Sequence, residues 1–476
     1  MRAGKGAFVS TAESTHYDAI VIGSGQGGTP LCQALAKSGL RTALVERAHV
    51  GGTCVNEGCT PTKTMIASGR VAYLARRAAD YGVHTGPITV DLARVRQRKR
   101  DIVEEFRTGN EKRIKSAANL DLLFGEASFL DARSLSVRLP DGSQRRLAAE
   151  RFFINAGCRP GKSSIEGLRD VPYLDSTSIM ELDTVPEHLL VIGGGYIGVE
   201  FGQLFRRFGA RVSIVQHTNQ LLHGEDPDIA AELQKILEQD VLEIFLNAKV
   251  QRVTQEPSGV TLTLVGAGSD SRMLRGSHLL AATGRVPNTD VLNPAAAGIA
   301  TDKHGYIQVN ERLETNVPGI YALGDIKGGP AFTHISYDDF RILRTNVIEK
   351  GSATTTERQV PYTVFTDPQL GRVGLTETQA RSEGRKIRVA KMPMAWVARA
   401  LETDETRGFM KVVVDGDSRQ ILGAAILGVD GGEVMSMLEI AMMGKLPYTA
   451  LLNGTFAHPN LSEALNNLFL ESNFAS

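Results

Sequence analysis

Tyr17-Asp18-Ala19-Ile20-Val21-Ile22-Gly23-Ser24-Gly25-Gln26-Gly27-Gly28 joins a short apolar run to a glycine-rich turn. The run reads as a buried parallel strand. The turn spells G-x-G-x-x-G, and a helical pattern from Pro30 to Lys37 follows, stopped by Ser38-Gly39. A second strand, Arg41 to Val45, ends at Glu46, 23 residues after Gly23. Gly23, Gly25 and Gly28 let backbone N–H groups approach a pyrophosphate at a helix N-terminus. Glu46 can accept hydrogen bonds from a ribose diol. The glycine pattern alone carries little weight. Strand, turn, helix, strand and acid in that order predict a dinucleotide-binding βαβ unit.

A second unit of this kind lies further along. Leu189 to Ile192 reads as a strand, Gly193-Gly194-Gly195-Tyr196-Ile197-Gly198 as the turn, Val199 to Phe208 as the helix, and Val212 to Val215 as the next strand. Two such turns imply two nucleotide cofactors. Gln216 and His217 stand where an acid would accept the ribose of NAD, or an arginine would favour NADP. The preference stays open, with a slight lean to NADPH because no acid repels its 2′-phosphate. Thr283-Gly284-Arg285 closes this insert, and residues 285–345 return to the first domain.

Between the two turns stands Gly51-Gly52-Thr53-Cys54-Val55-Asn56-Glu57-Gly58-Cys59-Thr60-Pro61-Thr62-Lys63. Five residues along a helix is about one and a third turns. Both sulfurs therefore fall on roughly one side, near enough to bridge if the helix start is distorted. A helix N-terminus stabilises a thiolate. The stretch reads as a dithiol that cycles with a disulfide beside a bound ring. Two buried core cysteines are the alternative. A zinc half-site would need a second Cys or His pair at ligand spacing, and none is found, so no metal site is assigned.

Composition narrows the class. The 476 residues suggest two to four domains. Lysine plus arginine equals aspartate plus glutamate, 53 each, so no net field recruits nucleic acid or an anionic membrane. The four cysteines, Cys32, Cys54, Cys59 and Cys158, make no secreted disulfide framework. Residues 1–16 lack an apolar signal core and no run is long enough to span a bilayer, so a soluble, cytoplasmic protein is expected. The basic run Arg94, Arg96, Arg98, Lys99 and Arg100 reads as a solvated helix face partnered by Asp101, Glu104 and Glu105, with a basic groove as the alternative. Residues 121–153 alternate apolar and polar about an Asp141-Gly142 hairpin turn.

The final third, about 355–476, carries no nucleotide fingerprint. Its most chemical stretch is Phe456-Ala457-His458-Pro459-Asn460-Leu461-Ser462-Glu463. A carboxylate five positions on can orient an imidazole and raise its basicity. A structural loop histidine is the alternative. Ile320-Tyr321-Ala322-Leu323-Gly324-Asp325 is an apolar strand whose terminal aspartate can hold a ribityl hydroxyl.

Together these pieces resemble the flavoprotein disulfide reductases, among them dihydrolipoamide dehydrogenase, glutathione reductase and mercuric reductase. The likeness runs from about 16 to 470 and rests on the first glycine turn with Glu46, GGTCVNEGC before Pro61-Thr62-Lys63, GGGYIGVE, ATGRVPN, ALGD and HPNLSE. It implies an α/β fold: two Rossmann-like domains, for FAD and NAD(P), and an α+β C-terminal dimerisation domain. The implied bounds are 16–157 and 285–350 for the FAD and central parts, 158–284 for the NAD(P) part and 355–476 for dimerisation. It implies a homodimer in which His458 and Glu463 complete the partner's active site. Lys63 would pair with Glu200 near the flavin, Tyr196 would shield the flavin face, Cys59 would be the sulfur nearer the flavin, and Cys54 would attack substrate. Flavin contacts are implied at Gly23, Gly25, Gly28, Glu46, Gly52, Thr53, Lys63, Ala127, Asp325, Ala331, Phe332 and Thr333. Nucleotide contacts are implied at Gly193, Gly195, Tyr196, Ile197, Gly198, Gln216, His217 and Gly284. Cys32 and Cys158 read as spectators.

The stretches Gly328 to Ile342 and Arg399 to Gly408 resemble the bacterial branch induced by reactive chlorine species, tied to hypothiocyanous acid or copper(II) reduction and often labelled mercuric reductase-like. The C-terminal cysteine pair and the N-terminal metal-binding domain of true mercuric reductases are missing here, which argues against efficient mercury reduction. The expected function is therefore NAD(P)H-driven reduction of a small oxidised sulfur species or metal ion. A dihydrolipoamide dehydrogenase and a flavin-bound redox sensor with little turnover are the alternatives.

Overall fold

The structure, a computed structural model, describes residues 14–161, 163–266 and 271–475. The chain forms two compact units. The first takes the described residues up to Pro61 together with Asp101–Gly161 and Arg285–Arg358. Its centre is a seven-stranded sheet. In chain order the strands are β1 (Thr15–Ile22), β2 (Thr42–Glu46), β3 (Leu120–Phe124), β4 (Glu126–Asp131), β5 (Ser134–Arg138) and β6 (Gln144–Ile154), with strand Ile320–Ala322 added beside β6. β1, β2, β3, the later part of β6 and strand Ile320–Ala322 run parallel. β4, β5 and the start of β6 form an antiparallel meander. The hairpin at Asp141-Gly142 falls between β5 and β6, with Gly142 at φ +83°.

Helix α1 (Gly28–Lys37) follows β1 and starts two residues before the proline that the sequence pattern marked. A Cβ on Gly28 would stand 2.1 Å from the Gly23 carbonyl oxygen, so only glycine lets the helix start this close to the strand. Val45 and Ile154 flank Ile22, so the turn opens at the carboxyl ends of parallel strands. Asn155, directly after β6, staples it. Its Oδ1 accepts from the Gly28 N–H at 2.9 Å and its amide donates to the Leu323 carbonyl at 3.0 Å. The sequence marks this residue only as part of a segment end.

The second unit takes Thr62–Arg100, the described part of 162–284 and 359–475. Four parallel strands, in the order Glu243–Phe245, Arg211–Val215, His188–Ile192 and His278–Ala281, carry the second glycine turn. Three antiparallel strands from 249 to 276 cover one end of the insert. A five-stranded antiparallel sheet from 362 to 428 packs under the helix Gly431–Met443.

The basic run differs from expectation. It lies in the helix 92–115, but Lys99 is 4 % exposed and pairs with Glu181, as does Arg100, while Arg96 pairs with Asp183. These partners are remote in sequence, so helix periodicity could not show them.

The staple gives a direct test. Asn155→Ala leaves a buried donor and a buried acceptor without partners, each costing about 1–3 kcal/mol. A lower thermal unfolding midpoint and reduced flavin retention are expected in calorimetry and absorbance. An unchanged midpoint with full flavin would mean the staple contributes nothing.

Candidate active site

The two cysteines do not share one helix, as the spacing suggested. α2 (Gly52–Asn56) ends, Glu57 and Gly58 turn the chain, and α3 (Cys59–Arg76) begins at Cys59 itself. A Cβ on Gly58 would lie 2.9 Å from the Thr53 carbonyl oxygen, so the break is tight. It returns the sulfur of Cys59 to that of Cys54 within hydrogen-bonding reach. Thr333, at the start of the helix Thr333–Leu343, places its hydroxyl 3.2 Å from the Cys59 sulfur. The hydrogen bond to Cys59, then burial and the negative charge of that sulfur, hold the Cys54 thiol far above its ordinary range, against the smaller opposite pull of Thr333. Each of these larger effects disfavours the thiolate form of Cys54.

The sulfur segment is tied to the first glycine turn. A Cβ on Gly52 would fall 2.7 Å from Gly25 Cα. The Gly51 N–H donates to Ser24 Oγ at 3.1 Å, and Gln26 donates to the Gly51 carbonyl at 3.3 Å. Ser24 in turn donates from Oγ and N–H to one Glu46 oxygen at 2.6 and 3.0 Å, and the other oxygen accepts from the Ala48 N–H at 2.8 Å. Glu46 thus orders the turn and keeps lone pairs for a ribose.

The residues present fit a flavin dinucleotide. Asp325, three residues after strand Ile320–Ala322, is half-buried; its backbone carbonyl accepts from the Gly328 N–H at 3.0 Å and from Cys158 Sγ at 3.4 Å, and no hydrogen bond to its carboxylate is seen among the described residues. Desolvation pushes its carboxyl up despite Arg285 and Lys327 nearby. A half-buried carboxylate of this kind can accept from a ribityl hydroxyl. Ala331 is exposed, and Phe332 stacks on His334 with centroids 5.4 Å apart. Ala127 is 4 % exposed, and its methyl belongs to the core beneath the sheet rather than to the glycine turn. Cys32 and Cys158 are buried, and burial pushes them to about 12 and about 11, as expected of inert thiols.

The second turn leads into α5 (Tyr196–Phe208), which starts three residues before the position that the sequence pattern gave. A Cβ on Gly195 would meet open space, while one on Gly198 would lie 1.9 Å from the Gly193 carbonyl oxygen. The turn is tight behind and vacant in front, as a pyrophosphate needs. Ile197 is half-buried against the core, and Gly284 stands in the left-handed region at φ +118°. Gln216 accepts from the Gly194 N–H at 3.1 Å and donates to Thr218 at 2.6 Å, and His217 beside it is exposed.

Lys63 donates to Glu200 at 2.7 Å. The other Glu200 oxygen accepts from the Phe365 N–H at 2.8 Å, and the Lys63 ammonium lies 4.7 Å from the Phe365 ring centroid. His458 Nδ1 and Glu463 Oε2 are 2.8 Å apart, with the histidine side chain 67 % exposed. Asn155, Ser24 and Phe365 escaped the sequence reading. Their contacts cross 22 to 168 residues of sequence, and no local pattern marks them.

The family signature described as pyridine nucleotide-disulphide oxidoreductase matches residues 17–339, and its dimerisation domain matches 360–469. The probable pyridine nucleotide-disulfide oxidoreductase RclA of Escherichia coli is 39 % identical over 95 % of this chain and 98 % of its own length. A mercuric reductase of Lysinibacillus sphaericus is 33 % identical over 96 % of this chain and 83 % of its own. A dihydrolipoyl dehydrogenase of Chlorobaculum tepidum is 33 % identical over 95 % and 96 %. The solved Cu(II) complex of the HOCl-induced flavoprotein disulfide reductase RclA superposes with a TM-score of 0.88 at 38 % identity, over 96 % of this chain and 99 % of that one.

Asp325 yields a pH test on the flavin-free protein. Its folded carboxyl titrates above the ordinary 3.8, so ionisation disfavours the folded state as pH rises past that value. Asp325→Asn removes this cost. The variant is expected to unfold at a higher temperature than the parent at neutral pH, the gap closing below about pH 4. A gap that persists in acid would contradict the burial argument.

Proposed function

This chain belongs to the pyridine nucleotide-disulphide oxidoreductases, and from that premise we propose that it spends NAD(P)H, through FAD, on a small oxidised sulfur species or a metal ion. The family works with FAD and a nicotinamide dinucleotide. One observation carries the reading: the Cys54–Cys59 pair, hydrogen-bonded and pinned to the first glycine turn. Bound FAD supplies two-electron transfer between a nicotinamide hydride and this sulfur pair.

The chain's own residues do the rest. The Cys54 thiol is held above its ordinary range, so it needs a base before it can attack. His458, oriented by Glu463, is that base. In a homodimer, which the dimerisation domain supports, these two residues serve the thiol of the partner. The Cys54 thiolate attacks the oxidised sulfur of the acceptor, and the leaving group departs with the proton from His458. Cys59 then attacks the Cys54 sulfur, releasing the reduced acceptor and closing the Cys54–Cys59 disulfide. Two electrons leave the pair in each cycle. Lys63, charge-paired with Glu200 and resting on Phe365, supplies a fixed positive charge that favours the reduced flavin.

NADPH is the proposed reductant. Gln216 is an amide already bonded to Gly194 and Thr218, so no carboxylate stands at that strand end to repel a 2′-phosphate, and His217 is exposed beside it. Among the described residues no helix is long and apolar enough to cross a membrane, and a cytoplasmic location suits a working dithiol.

A turnover panel tests the acceptor: lipoamide, glutathione disulfide, hypothiocyanous acid, copper(II) and mercury(II), each with NADPH and NADH. Hypothiocyanous acid or copper(II) should exceed lipoamide by at least about ten-fold in kcat/KM, equivalent to about 1.4 kcal/mol at the transition state. Preferred lipoamide turnover would identify a dihydrolipoamide dehydrogenase instead, and slow turnover with every acceptor a sensor. Cys54→Ser should abolish acceptor reduction while flavin reduction by NADPH persists. Full acceptor reduction in that variant would overturn the thiol assignment.

A further inference from the structure

Tyr196 and Glu200 lie four residues apart, on one face of α5. Both rest on the same short segment, 362–365. The Tyr196 ring meets the Tyr362 ring with centroids 5.8 Å apart and planes at 44°. Glu200 takes the Phe365 N–H, as described above. The Tyr362 hydroxyl donates to Glu225, in the loop that follows Gln216. That loop is fixed to the second glycine turn, because the Leu222 N–H donates to the Gly194 carbonyl at 2.9 Å.

Glu225 is deeply buried, 6 % exposed, yet among the described residues only one of its carboxylate oxygens is hydrogen-bonded. The second faces Arg372 Nε at 3.8 Å, beyond a hydrogen bond, and the Arg372 Nη2 atom is also buried without a partner. A buried acid with half its acceptor capacity idle is costly. Burial pushes its carboxyl up, against Arg372 and the Tyr362 hydroxyl, while Asp226 adds to the rise and Lys411 opposes it. The hydroxyl of Tyr362 is the direct bond that holds this acid, and it sets the ring of Tyr362 under Tyr196.

We propose that Tyr362, clamped by Glu225, is a positioning residue that seats the Tyr196 ring beside the second glycine turn and so sets how readily Tyr196 yields to an arriving nicotinamide. The idea rests on the reading above that this turn receives NAD(P)H. Tyr196 is 46 % exposed, so it has room to move, while its seat is the more enclosed ring. A second consequence follows from the shared segment: any shift of residues 362–365 moves the Tyr196 seat and the Glu200 anchor together.

The test uses the flavin-loaded enzyme and a readout independent of turnover. Tyrosines are nitrated with tetranitromethane, and the rate at Tyr196 is read by peptide mass spectrometry. Tyr362→Leu removes the ring and should speed nitration of Tyr196 about three- to ten-fold, the population shift that one aromatic pair supports. Tyr362→Phe and Glu225→Gln keep the ring and weaken its clamp, so they should fall between parent and Tyr362→Leu. In stopped flow, flavin reduction by NADPH should change in the same order, while reoxidation of dithionite-reduced enzyme by the acceptor stays at the parent rate. Equal nitration of Tyr196 in the parent and in the two ring-retaining variants as well as Tyr362→Leu would sink the proposal. So would a matching change in both half-reactions, which marks general damage. Titration of the parent with NADPH tests the underlying reading separately: a parent that binds no nicotinamide removes that reading, while the nitration order still decides whether the seat exists.

Discussion

Gly52 lies on Gly25, where a Cβ on Gly52 would fall 2.7 Å from the Gly25 Cα. This contact joins the two parts of the chemistry, a nucleotide turn and a sulfur pair, in one unit. The links around it are short. Glu46 holds Ser24, Ser24 holds Gly51, and Gly51 starts the helix that carries Cys54. An added methyl group at Gly52 would push the sulfur helix off the turn, because a backbone Cα cannot give way as a flexible side chain can. The position of the thiols is thus fixed by backbone packing and not by the thiols themselves.

The break after Asn56 matters as much. A single continuous helix would have set the sulfurs apart on a common face. The turn at Glu57-Gly58 puts Cys59 at the first position of a new helix and folds its sulfur back on Cys54. Hydrogen bonding to Cys59 and burial both disfavour the thiolate form of Cys54. A dithiol of this kind needs an outside base, and the His458–Glu463 pair is exposed enough to serve one.

The second unit repeats the theme with different means. Its lysine–glutamate pair is anchored by a backbone N–H from the C-terminal sheet side, at Phe365, and its tyrosine rests on a ring from the same segment. A part of the chain without a glycine turn thereby fixes Lys63, Glu200 and Tyr196.

The sequence alone determined the local grammar: both strand–turn–helix units, the G-x-G-x-x-G glycines, Glu46, the Cys54–Cys59 spacing, the partners Lys63 and Glu200 through the family pattern, and the His458–Glu463 pair. These are readable because turns and helix starts are set by residues a few positions apart, and because the chemistry restricts which side chains can stand there. Tertiary structure alone decided the helix break between the cysteines, the raised Cys54 thiol, the Asn155 staple, the burial of Lys99 on Glu181, and the Tyr362–Glu225 clamp. Each depends on groups brought together from tens to hundreds of residues away, and burial and hydrogen-bond geometry at such distances leave no periodic trace in the chain.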